Sequence, residues 1–189
     1  RAVTSATCVL ALGPNGITAG TWRDESGSGN HATITGATPT TTSTTGGTLN
    51  GLAFDGVNDR LDANVAIASD AAVTVFVLAM QDHASNASGL HPILELSDNG
   101  STGRSIQIGD GNGYRYAFRQ STDVQAYSAF TSDALKLHRS TFGANYIENR
   151  EGGVVKASNV LARTGRATTS LRIGGARDGS SWWKGSLFA

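Results

Sequence analysis

The chain has 189 residues, with 15 Lys and Arg balanced by 15 Asp and Glu, 24 Gly and only 3 Pro. That length suits one domain over residues 1–189 around a single core. The balanced charge gives no field to gather the chain onto nucleic acid, and no apolar run approaches the roughly 20 residues of a spanning helix, so neither partnership is expected.

The chain opens on Arg1, as a processed or partial chain would. The first strand signal is "ATCVLAL" (6–12), which places the single cysteine, Cys8, as a small buried residue; one thiol excludes an internal disulfide. Next comes "WRDESGSGNHAT" (22–33). Its glycines permit a tight reversal, and Asp24, Ser26 and Asn30 are residues that bond neighbouring backbone groups, so a structural turn locked by Trp22 is expected rather than a catalytic triad with His31. Residues 38–48, "TPTTTSTTGGT", read as a surface loop or extended segment with no core residue.

"LAFDG" (52–56) starts a strand and hairpin in which Asp55, Asn58, Asp59 and Asp62 fall close together. Such oxygen ligands suit calcium, and a hydrogen-bonded hairpin loop is the competing reading. Strand alternation puts Asp59 and Asp62 on opposite faces. Further strands are expected at "AVTVFVLAM" (72–80), "HPILELS" (91–97), "SIQIGD" (105–110), "YRYAF" (114–118), "GVVKAS" (153–158) and "SLRIGG" (170–175). Among them, "GDGNG" (109–113) reads as a hairpin loop, Tyr114, Tyr116 and Tyr127 as core or sheet-face residues, and Asn86 and Asn99 as weak glycosylation sequons. "SDALKLHR" (132–139) is the nearest approach to a helix and merits one turn. Many short strands with turn chemistry between them imply an all-β fold, an antiparallel β-sandwich of two sheets.

"WRDESGSGNHAT", then "LNGLAFDGVNDRLDA" (49–63), the strand "VTVFVLAM", and finally "LRIGGARDGSSWWKGSLFA" (171–189) resemble the laminin G-like branch of the concanavalin A-like lectin/glucanase superfamily. The resemblance covers the chain from about Trp22 onward and implies a concanavalin A-like jelly roll. It also implies a non-catalytic recognition module of a bacterial secreted or phage virion protein, at a virion surface or extracellular, such as a capsid decoration or tail fibre. Glycans or cell-surface polysaccharides, other virion proteins or further copies of the chain are the partners so implied. Some members use calcium, for which Asp55, Asn58 and Asp59 are the candidates here.

By its distance from Gly185, Trp183 matches the buried aromatic of that pattern, which turns Trp182 outward. An outward Trp182 beside Arg177, Asp178 and Ser181 would offer a ring for stacking and polar groups for sugar hydroxyls; packing under a loop or against a neighbouring chain is the alternative. Catalytic residues are not expected. The E-x-D-x-E strand of the glucanases is missing, Glu95 and Asp98 fall on opposite faces of a regular strand, and Gln107 lacks the matching His of the polysaccharide lyases.

Overall fold

The computed structural model describes residues 8–68, 71–82, 91–97, 104–111, 114–119, 125–129, 134–143, 146–160, 167–177 and 179–189, with side chains except at 104–129, 159 and 160. The chain begins with β1 (Leu12–Thr18), β2 (Thr21–Asp24), β3 (Ala32–Thr35), β4 (Thr38–Thr44), β5 (Gly47–Asp55) and β6 (Arg60–Ala63). It continues through β7 (Val73–Gln81), β8 (His91–Ser97), β9 (Arg104–Gly111), β10 (Tyr114–Arg119) and β11 (Gln125–Ala129). It ends with β12 (Lys136–Phe142), β13 (Tyr146–Glu151), β14 (Val154–Val160), β15 (Ser170–Ile173) and β16 (Lys184–Phe188). No helix occurs among the described residues.

The strands form two sheets, ordered β1-β2-β3-β6-β15-β8-β9-β10-β11 and β14-β13-β12-β7-β16-β5-β4. This is the antiparallel sandwich expected from the sequence. Its cause is visible in β7, where Val75, Val77, Ala79 and Gln81 face the other sheet while Thr74, Phe76, Leu78 and Met80 face away. Trp22, Leu52, Phe54, Phe142, Ile147 and Trp183 are the large buried side chains that fill the space between the layers. Trp183 is fully buried, as its distance from Gly185 implied, with its ring centroid 5.7 Å from that of Phe54 at 58°. Gly174, at φ +92°, lets the chain pass this aromatic pair; a Cβ there would come 2.7 Å from the carbonyl oxygen of Asp59.

One open choice is decided and two expectations change. Residues 38–44 form the edge strand β4, paired with β5 from Thr38↔Ala53 to Thr44↔Gly47, because β-branched threonines suit an extended backbone whether or not a core lies beneath them. Lys136–Phe142 is a strand with no helical turn: its inward row is His138, Ser140 and Phe142, so polar residues on the buried face hide the period of two. Cys8 is exposed and lies ahead of β1, because the segment before Leu12 is tied to the 24–30 turn instead of to a sheet.

β9 and β10 pair antiparallel up to Gly111↔Tyr114, and residues 112 and 113 of "GDGNG" lie outside the described residues. Asn86, Asp98, Asn99 and Asp178, and the side chains of Gln107, Tyr114, Tyr116 and Tyr127, also lie outside them.

Candidate functional site

The 22–31 segment spends its polar groups on architecture. Asp24 Oδ1 accepts hydrogen bonds from the amides of Ala11 and Ser26, each at 2.9 Å, and Oδ2 accepts from the Ser26 hydroxyl and the Asn30 amide, again at 2.9 Å. Burial alone would push this carboxyl up, but the four donors outweigh it and hold the pKa at about 2. The Asp24 amide donates to His31 Nδ1 at 2.9 Å, which places the neutral imidazole's proton on Nε2. Asn30 Nδ2 donates to the Val9 carbonyl at 2.7 Å and Trp22 Nε1 to that of Gly13 at 2.9 Å. Ser26 and His31 therefore both serve Asp24, and the cluster fastens the N-terminal segment to β2.

The 55–59 hairpin is built in the same way. Asp59 Oδ2 accepts the Asp55 amide at 2.8 Å, and Asp55 Oδ1 accepts the Val57 amide at 2.7 Å. Burial pushes the Asp59 carboxyl above its ordinary range; the Asp55 amide opposes this and the nearby Asp55 carboxylate adds to it. Asn58 is exposed, and its amide lies 3.4 Å from Asp55 Oδ1. Among the described residues no three His, Cys, Asp or Glu side chains are grouped to hold a metal ion.

Asp62 points to the outside of the nine-stranded sheet, in register with Arg172. Arg172 Nε donates to Asp62 Oδ1 at 2.8 Å, Arg60 Nε donates to Oδ2 at 2.9 Å, and the Arg177 guanidinium comes within 3.9 Å of Oδ1. Through Nη1, Arg172 also reaches the carbonyls of Arg177 at 3.1 Å and Ala176 at 3.3 Å, pinning the 174–183 loop to the sheet. Within that loop Ala176 donates to the Ser181 carbonyl at 2.8 Å. His91 Nδ1 lies 2.6 Å from the Trp182 carbonyl, which can only accept, so the proton sits on Nδ1. Trp182 is half-buried with its ring over Gly175, while Arg177 and Ser181 stay part-exposed on the same loop. The structure thus brings three of the four candidate sugar-binding residues onto one loop, held by Arg172.

The outer face of the seven-stranded sheet carries a feature that sequence reading missed. Phe76, in the middle of β7, is 65% exposed. It stands in register with Arg139, and Leu78 stands in register with exposed Leu137. Arg139 Nη2 donates to Glu148 Oε1 at 2.8 Å, and Arg150 Nε donates to the same oxygen at 2.6 Å. The Arg150 hydrogen bonds, aided by Arg139 against a small burial cost, hold the Glu148 carboxyl below the usual range. An open ring thus stands opposite Arg139, whose guanidinium shares one carboxylate with Arg150 on the next strand, a surface able to stack on an apolar ligand face while donating to its oxygens. The signal was present in "VTVFVLAM": a strand apolar on both faces leaves one of them unaccounted for when only the other meets the core.

No family model and no curated protein matches the chain. Solved structures do match. The ligand-binding domain of botulinum neurotoxin serotype D, in complex with N-acetylneuraminic acid, aligns at a TM-score of 0.66 and 13% identity over 96% of this chain and 47% of that one. Domain 4 of AbnA, a GH43 extracellular arabinanase from Geobacillus stearothermophilus, in complex with arabinotriose, aligns at 0.61 and 14% over 87% of this chain and 82% of that one. Trypanosoma rangeli sialidase in complex with the inhibitor DANA aligns at 0.61 and 15% over 95% of this chain and 29% of that one. The chain therefore spans about half the length of the toxin domain and under a third of the sialidase. At these identities the likeness establishes the fold alone, a β-sandwich of two antiparallel sheets.

Proposed function

We propose that this chain is a non-catalytic carbohydrate-recognition module that binds through the outer face of its seven-stranded sheet. The observation that carries the reading is Phe76, an aromatic ring open to solvent in mid-strand and flanked by Arg139 in the Arg139–Glu148–Arg150 network. A sugar offers an apolar C–H face to such a ring and hydroxyl oxygens to guanidinium donors. Fold neighbours seen with N-acetylneuraminic acid and arabinotriose support the ligand class by analogy. The internal use of Asp24, Asp55, Asp59 and Asp62 favours binding over catalysis, since each already accepts backbone amides or guanidiniums.

The test is a glycan array followed by calorimetry on the best ligand. Phe76→Ala should weaken binding by about tenfold or more, as expected for a lost stacking contact of roughly 1.5 kcal/mol. If binding survives Phe76→Ala and is lost instead in Trp182→Ala, the site is the 174–183 loop with Arg177, Asp178 and Ser181. Polysaccharide turnover that disappears in Glu95→Gln would replace recognition with catalysis.

A structural, self-assembling component is the second reading, favoured by the exposure of Leu137, Val154 and Val155 on the same sheet. A dimer or larger mass in light scattering, reverting to monomer in Phe76→Ala, would favour it. A virion-surface or extracellular setting, with capsid or tail proteins as partners, rests on the sequence resemblance alone.

A further inference from the structure

A concave surface lies far from Phe76 in strand order, where the edge strands β1 and β4 of the two sheets leave the sandwich open. The opening is a groove of about 650 Å³, within the range of roughly 300–1,000 Å³ common for small-ligand sites. Its walls come from both sheets: Ile17 from β1 and Ile34 from β3 on one side, Thr40 and Thr41 from β4 and Leu52 from β5 on the other. Gly20, at φ +81°, turns the chain from β1 into β2 at the rim, where a Cβ would meet nothing within 4 Å.

The chemistry of the lining is selective because of what it lacks. Charged residues make up 16% of the chain, yet residues 14–22 and 32–54, which supply every lining residue, contain no Asp, Glu, Lys or Arg. A charged ligand entering here would shed water without meeting a counter-charge, a heavy cost. A purely apolar ligand would leave the threonine hydroxyls and the Asn50 amide unsatisfied at the rim. Part-exposed Ile17 and Ile34 beside the exposed Thr18, Thr41 and Asn50 match a molecule with the same division: a neutral sugar, with C–H faces and ring hydroxyls.

We infer that this groove is a binding site for a short neutral oligosaccharide, separate from the Phe76 face. The inference does not depend on the Phe76 reading, and the two fail independently. The experiment is titration of the ¹⁵N-labelled full chain with maltotriose, cellotriose and arabinotriose, following backbone amide shifts. At least one should move amides at Ile17–Gly20, Thr40–Thr41 and Asn50–Leu52, and should do so equally in Phe76→Ala.

Ala19→Trp, at an exposed rim position, should weaken those shifts by about tenfold or more by filling the opening. Thr41→Val, which removes the hydroxyl on the face that β4 shares with Asn50 and Leu52 without changing volume, should weaken them severalfold with the fold intact. The inference is overturned if none of the three sugars moves these amides, or if the shifts fall only around Phe76. It is also overturned if a sulfated sugar or an apolar dye occupies the groove and the neutral sugars do not.

Discussion

The 22–31 turn and the Phe76 face are opposites in chemistry and in use. The turn is dense with Asp, Ser, Asn and His, the residue types of active sites, and each of its polar groups named above is committed to holding backbone in place. The face belongs to a run of valine, leucine and alanine that reads as plain core, yet it presents an open aromatic ring to solvent. Residue type alone misassigns both regions. What separates them is whether a group's partners are found inside the chain: Asp24 finds four donors, whereas Phe76 finds no layer to cover it among the described residues.

If that contrast is right, damage to the turn should unfold the protein while damage to the face should not. The largest effect belongs to Asp24→Ala, which orphans the amides of Ala11, Ser26 and Asn30 together and should cost about 3 kcal/mol in urea unfolding. A loss under about 1 kcal/mol would show that the turn is decoration. The same residue predicts an acid response. Its folded pKa of about 2 lies below the ordinary 3.8 of an aspartate, so its stabilising contribution is complete above about pH 4 and is lost as pH falls towards 2. That contribution is on the order of 1–2 kcal/mol, and Asp24→Asn should flatten this part of the pH profile.

A middle-sized effect should follow Arg172→Leu, which cuts the link between Asp62 and the 174–183 loop. Asp62 keeps Arg60, so the cost should stay near 1–2 kcal/mol, and the loop should loosen before the sheets do. Faster amide exchange confined to residues 174–183 would show this; uniform acceleration across β6 and β15 would place Arg172 in the global core instead.

These cases also show where the sequence was readable. The turn was readable because its bonds are local: Asp24, Ser26 and Asn30 lie within six residues and carry known turn chemistry. Trp183 was readable only through the family resemblance, whose buried aromatic stands at that distance from the glycine matched by Gly185. Arg172 was not, because its partner Asp62 is 110 residues away and nothing local marks the pairing. β12 was hidden by its buried His138 and Ser140, where Ser140 bonds Asn149 across the hairpin at 2.7 Å and so makes a polar inward row tolerable. Phe76 was hidden for the converse reason, since a continuous apolar run fixes a strand but not which of its faces meets the core.

The smallest expected effect is the most telling. Phe76→Ala removes a ring that is 65% exposed, so little apolar surface returns to water on unfolding and stability should move by no more than about 0.5 kcal/mol. An exposed ring beside a paired arginine adds little to folding, so a variant that unfolds normally but no longer binds would separate recognition from architecture at a single residue. A drop of about 2 kcal/mol or more would instead mean that the ring is covered in solution, by a second copy or by chain outside the described residues, and light scattering on the same sample would tell those apart.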